Sequence, residues 1–212
     1  MRLGEEKERT GLKSHHYDTG GPRSTTILLM LPADHSDAPV AAVNPFTAAD
    51  VVAILRERGW LVGEPSLEQH GWCERAASML GGHAADRVAL ADLLGLVFQY
   101  DAREIISRVE SHVVISRYAA RDVLRRVALL LLLDGTPLTS ERFKEIVTAL
   151  KDGMELRGRE LFHPIRLALA GRAGEGELDR VILLLDEAAG LSFAVPVKSA
   201  RERVLEFCSA LD

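Results

Sequence analysis

The chain has 212 residues, 47% of them apolar, with 26 Lys and Arg against 31 Asp and Glu and a formal net charge of −5. That length suffices for one good core or two small ones, and the acidic total argues against a dedicated nucleic-acid binder while leaving room for a local basic face. The longest apolar run, Val127 to Leu133, is far short of the roughly 20 residues that cross a bilayer, so no membrane role is expected.

Residues 1 to about 40 read as a largely disordered N-terminal tail. Met1-Arg2-Leu3-Gly4-Glu5-Glu6-Lys7-Glu8 has charges of both signs and no apolar core behind it, unlike a secretory signal. His15-His16, Gly20-Gly21-Pro22 and an apolar burst, Ile27 to Leu31, follow before the breakers Pro32, Asp34 and Pro39. Helical order begins at Phe46-Thr47-Ala48-Ala49-Asp50-Val51, where Thr47 is a natural N-cap and Asp50 sits three residues on, as in a capping box. Gly59 ends that helix. Ser66-Leu67-Glu68-Gln69 repeats the capping pattern for a helix to Leu80.

Further helices are predicted at Leu90 to Tyr100, Ala102 to Val113 and Ser116 to Leu133, the last becoming apolar all round. Gly135-Thr136-Pro137 breaks the chain. Helices over Ser140 to Gly153, Phe162 to Ala170, Leu178 to Ala188 and Lys198 to Leu211 complete the pattern, and no segment longer than five residues alternates in the manner of a strand. The expectation is an all-α helical bundle or cage of about eight to nine helices. A seam at Gly135-Pro137 would divide it into helical subdomains at 41–135 and 136–212.

One stretch is more specific than its helical pattern: Gly158-Arg159-Glu160-Leu161-Phe162-His163-Pro164-Ile165-Arg166-Leu167-Ala168-Leu169-Ala170-Gly171, followed by the apolar run from Leu178. It resembles the segment written lf-x-P-[LI]-R-x-A-L-[TA]-G in the all-helical, anticodon-binding C-terminal region of bacterial glutamyl-tRNA synthetases. Weaker similarities precede it in family order, at Gly59 to Leu80 with Trp72, at Asp86 to Leu93, at Val97 to Asp101 and at Thr139 to Gly153, so the likeness spans residues 45 to 192. The resemblance implies a free-standing tRNA-binding module that holds the anticodon arm, alone or beside a separate catalytic subunit. It also implies that the arginine matching Arg166 contacts an anticodon base, a role suited to a planar guanidinium. The H-I-G-H and K-M-S-K-S segments of the synthetase catalytic half have no counterpart: His15-His16 lies in a Gly-rich tail, and Val197-Lys198-Ser199-Ala200 is no such loop. The module is therefore expected to be non-catalytic by itself and to need no cofactor.

Two basic groups carry the RNA reading. Arg117, Arg121 and Arg125 recur every four residues and would form a phosphate-binding stripe on one helix, beside Arg126, if they are not simply a solvated face paired with Asp122. Arg157, Arg159, Arg166 and Arg172 surround the family motif, diluted by Glu155 and Glu160. The alternative is a protein-interaction or scaffold module that kept the fold and lost RNA binding. The acidic total favours it, and so does Gly174-Glu175-Gly176-Glu177, where the family carries small residues and a Pro. His70 and Cys73 lie within reach of one metal but lack further ligands, so no metal site is expected. His163 is read as a packing or capping residue, and Trp60 and Trp72 as core. Cys73 and Cys208 stand in helical patterns without a motif, as free thiols in a reducing cytoplasm would.

Overall fold

The structure, a computed structural model, describes residues 44–133 and 135–212. The expected N-terminal tail lies outside them. In chain order the helices are α1 (Ala48–Glu57), α2 (Leu67–Leu80), a 3-10 turn (Gly81–His83), α3 (Arg87–Phe98), α4 (Ala102–Ser107), α5 (Val109–Ile115), α6 (Ala120–Leu132), α7 (Ser140–Met154), α8 (Arg159–Ala170), α9 (Glu177–Leu183), α10 (Leu185–Ala189) and α11 (Ala200–Leu211). The protein is all-α, with no strand among the described residues.

Caps set where these helices begin. The Asp50 carboxylate accepts hydrogen bonds from the Thr47 backbone N–H and hydroxyl, both at 2.8 Å. Those bonds hold its carboxyl below the ordinary range. Ser66 and Gln69 exchange reciprocal bonds at the head of α2, at 2.8 and 3.2 Å, as expected of a capping box. A third box, Ser199 with Glu202, starts α11 and was not foreseen. Asp86, Asp101 and Thr139 cap α3, α4 and α7 through their side chains.

Two of the nine expected helices are each split in two. The 102–113 helix breaks at Arg108, which is extended (φ −74°, ψ 142°) between α4 and α5. There the Ser111 hydroxyl donates to the Ile105 carbonyl and so satisfies the end of α4 in place of the helical ladder. The 178–188 helix breaks at Leu184, whose carbonyl accepts from the buried Trp72 indole N–H at 3.2 Å. A local side-chain bond thus meets the first interruption and a tertiary one the second.

Trp60 and Trp72 are core residues, as anticipated. Trp60 stacks on Phe98 at 4.8 Å between centroids, and Trp72 and Phe193 meet Phe98 edge-on at 5.7 and 5.0 Å. The main core takes buried side chains from both sides of Gly135, from Val51 to Val204, so the Gly135-Pro137 loop is a turn within one packed unit rather than a boundary between two cores. A smaller cluster, including Ile105, Val114, Leu124, Leu167 and Phe207, lies where α4 and α5 meet α6, α8 and α11.

Helix ends are tied together by a buried cation. Arg203 on α11 is fully buried, and its guanidinium donates to the carbonyls of Leu96 and Leu169 at 2.8 Å and of Lys198 at 3.1 Å, and to that of Val97. Leu96, Val97 and Leu169 belong to the last turns of α3 and α8, whose carbonyls lack intrahelical partners and carry the negative end of the helix dipole. Burial pulls the Arg203 pKa down to about 10, so the group stays charged at neutral pH. The Tyr100 ring covers it at 4.5 Å.

Candidate nucleic-acid interface

α8, the helix of the family-like motif, is packed by α5, α6, α9 and α11 along its C-terminal part, and its N-terminal half carries the exposed side chains. Arg166 is part of the packed half, not the exposed one. It is only 8% exposed. Its Nε and Nη2 donate to the two Asp179 oxygens at 2.7 and 2.8 Å, and its Nη1 donates to the Gly174 carbonyl at 2.6 Å. The Phe162 ring lies 4.9 Å from its Cζ. The fork is thus committed to the start of α9 and the loop before it, and its pKa is raised by the Asp179 bonds. In this arrangement Arg166 fixes the 171–176 loop.

The expected stripe also differs from its helical drawing. α6 begins at Ala120, so Arg117 lies in the preceding turn, and only Arg121 and Arg125 share the helix. Arg117 turns toward α8, with Nη1 3.5 Å from His163 Nδ1. Arg121 is exposed and donates to the Leu211 carbonyl at 3.2 Å, and Arg125 is exposed with Asp122 at 3.7 Å. Arg159, in the first turn of α8, is exposed and lies 3.5 Å from Glu175. Arg172 follows α8 at its other end, about 20 Å from Arg159 at 1.5 Å per residue. It lines a separate cleft with Arg108 and Glu110. The structure therefore brings Arg117, Arg159 and Arg166 around His163, sets Arg121 and Arg125 on α6, and leaves Arg172 apart.

His163 reports this concentration of charge. Its pKa is lowered, first by burial and then by Arg117, Arg159 and Arg166. With Nδ1 facing an arginine, the ring proton belongs on Nε2, which is buried without a hydrogen-bond partner in the described residues.

Sequence reasoning passed over the aromatic in this face. Tyr118, in the turn between Arg117 and Arg121, is fully exposed. A tyrosine without buried area contributes nothing to the core, and this one lies in the sequence between Arg117 and Arg121. The R-Y-x-x-R spacing was the available signal. The His70 and Cys73 pair is not convergent: His70 is exposed beside Glu74 at 3.5 Å, while Cys73 is fully buried. Both cysteines are free thiols.

Among the described residues no helix is long and apolar enough to cross a membrane. No protein-family model matches the chain, no curated protein matches it, and no solved structure matches it.

Proposed function

We propose that this protein is a non-catalytic RNA-binding module that takes a single-stranded loop, with the anticodon arm of a tRNA as its ligand, against the turn between α5 and α6 and the head of α8. The observation that carries this reading is the fully exposed Tyr118 ring, in the turn that leads from Arg117 into α6, where Arg121 and Arg125 are also exposed. An exposed aromatic offers a stacking platform to an unpaired base, and flanking arginines meet its phosphates. Arg159 extends the positive face along α8, and Arg166 serves it indirectly by holding the 171–176 loop. The family-like motif on α8 supports the anticodon arm as the particular loop, and a separate catalytic subunit would supply the missing chemistry.

Binding of the full chain to glutamate tRNA and to an unrelated tRNA, followed across a salt series, tests the proposal. Tyr118→Ala should weaken binding by about 5- to 100-fold, the worth of one stacked base, without changing thermal stability. Arg121→Ala with Arg125→Ala should flatten the salt dependence, because each lost phosphate contact lowers the slope by about 1. Unchanged affinity in both variants refutes the assignment.

A further inference from the structure

A second face has a different chemistry. Between α7 and the neighbouring α8 and α9 lies a groove of about 460 Å³. Half-buried Phe162 and Leu183, with the edges of the core residues Phe143 and Val147, line it with apolar surface, and Lys144, Lys151 and Arg180 line it with positive charge. All three cations are exposed, and among the described residues none takes part in a hydrogen bond or ion pair, although the Lys151 ammonium lies 5.6 Å from the centre of the Phe162 ring. The carboxylate in the lining, Asp179, is already committed to Arg166, so the rim presents net positive charge.

We propose that this groove docks an acidic amphipathic helix of a protein partner, with its apolar face on Phe143, Val147, Phe162 and Leu183 and its carboxylates on Lys144, Lys151 and Arg180. The groove-lining positions on α7 are 140, 143, 144, 147, 148 and 151, one continuous helix face. At 1.5 Å per residue that face runs about 16 Å, the length of a three-turn helix laid alongside. Aliphatic and phenyl surface suits the Leu, Ile or Phe anchors of such a helix. The cations flank that surface as a polar rim flanks a docking site, where they select for opposite charge. The groove meets the proposed RNA face only at the head of α8, through Phe162, and shares no residue with Arg117, Tyr118, Arg121 and Arg125, so the peptide and the RNA are tested with separate variants.

The test uses the full chain and fluorescein-labelled probes read by anisotropy. The first is a synthetic helix of about 14 residues, roughly four turns, with Leu at i, i+4 and i+7 and Glu on the opposite face. The others are a scramble of the same composition, a Lys-for-Glu counterpart and an oligouridine. The amphipathic acidic peptide is expected to bind about tenfold or more tighter than the scramble and the basic peptide. Both Lys144→Glu with Lys151→Glu and the plugging substitution Thr148→Trp should weaken it by about tenfold. These positions are exposed, and circular dichroism of each variant checks that the fold is kept. The proposal is overturned if the scramble binds equally, which would make the effect one of charge alone, or if the acidic peptide fails to bind. It is also overturned if the variants lose oligouridine while keeping the peptide, which would make the groove a nucleic-acid site.

Discussion

Replacing Arg203 by Met should cost more stability than any surface change in this protein. Methionine approximates the aliphatic stem of arginine, so the perturbation is confined to the guanidinium and the four carbonyls that it satisfies, on Leu96, Val97, Leu169 and Lys198. Each buried acceptor left without a donor costs about 1 kcal/mol or somewhat more, and together they reach about 3 to 4 kcal/mol. No opposing carboxylate is stranded, because the partners are helix-end carbonyls, which keeps the figure near the lower end of broken buried charge networks. For a chain of this size that corresponds to a fall in Tm of roughly 7 to 14 °C. Thermal melting by circular dichroism, together with urea unfolding, measures it. Arg203→Lys should recover less than half of the loss, since one ammonium cannot reach the ends of α3 and α8 at once. A loss below about 1 kcal/mol for Arg203→Met would refute the claim that this cation holds the helix ends together.

Arg166→Ala and Asp179→Ala should each destabilise the fold by about 2 to 4 kcal/mol, because each strands a partner of a mostly buried pair. If Arg166→Ala instead left Tm unchanged and abolished RNA binding, the positioning role would be wrong. Glu155 ends α7 in the left-handed region at φ 56°, so Glu155→Gly should stabilise by about 0.5 to 1 kcal/mol in urea titrations. Gly158 adopts φ 56°, ψ −136° at the head of α8, a conformation open only to glycine, and Gly158→Ala should cost about 1 to 3 kcal/mol by the same measurement. The His163 midpoint, followed by NMR, should lie below the ordinary value of about 6.5 and rise in Arg117→Ala. A base whose folded pKa is depressed leaves the unfolded chain binding more protons, so stability from this group falls as pH drops from about 6.5 through the folded value. A midpoint at or above 6.5 in the wild-type protein would contradict the crowding of cations around that ring.

The helical class was legible because helix signals are local. Thr47 with Asp50 and Ser66 with Gln69 announce their own hydrogen bonds in four residues of sequence, and the apolar spacing locates the faces. The interruption at Leu184 was not legible, since the indole that bonds its carbonyl belongs to Trp72, 112 residues away. Arg166 shows the same limit at the candidate site. Its place in a family-like motif suggested a base contact, but nothing local signalled that Asp179, thirteen residues on, would take its donors. Tyr118 shows the converse. Exposure is a property of the finished packing, and a tyrosine in an amphipathic pattern is ordinarily core until the fold places it outside.

The aromatic cluster has a spectroscopic consequence. Trp60 and Trp72, the two tryptophans of the chain, both contact Phe98 and are almost or wholly closed to water. Their emission should be blue-shifted, should resist quenching by iodide, and should change in one step when the core opens. Neither indole reaches the surface around Tyr118 or lines the α7 groove. A ligand seated at either face would leave tryptophan fluorescence unchanged, so a silent quenching titration on the native protein carries no information about occupancy. A reporter has to be installed at the surface itself. Thr148→Trp, designed as a plug, places an indole at the groove rim.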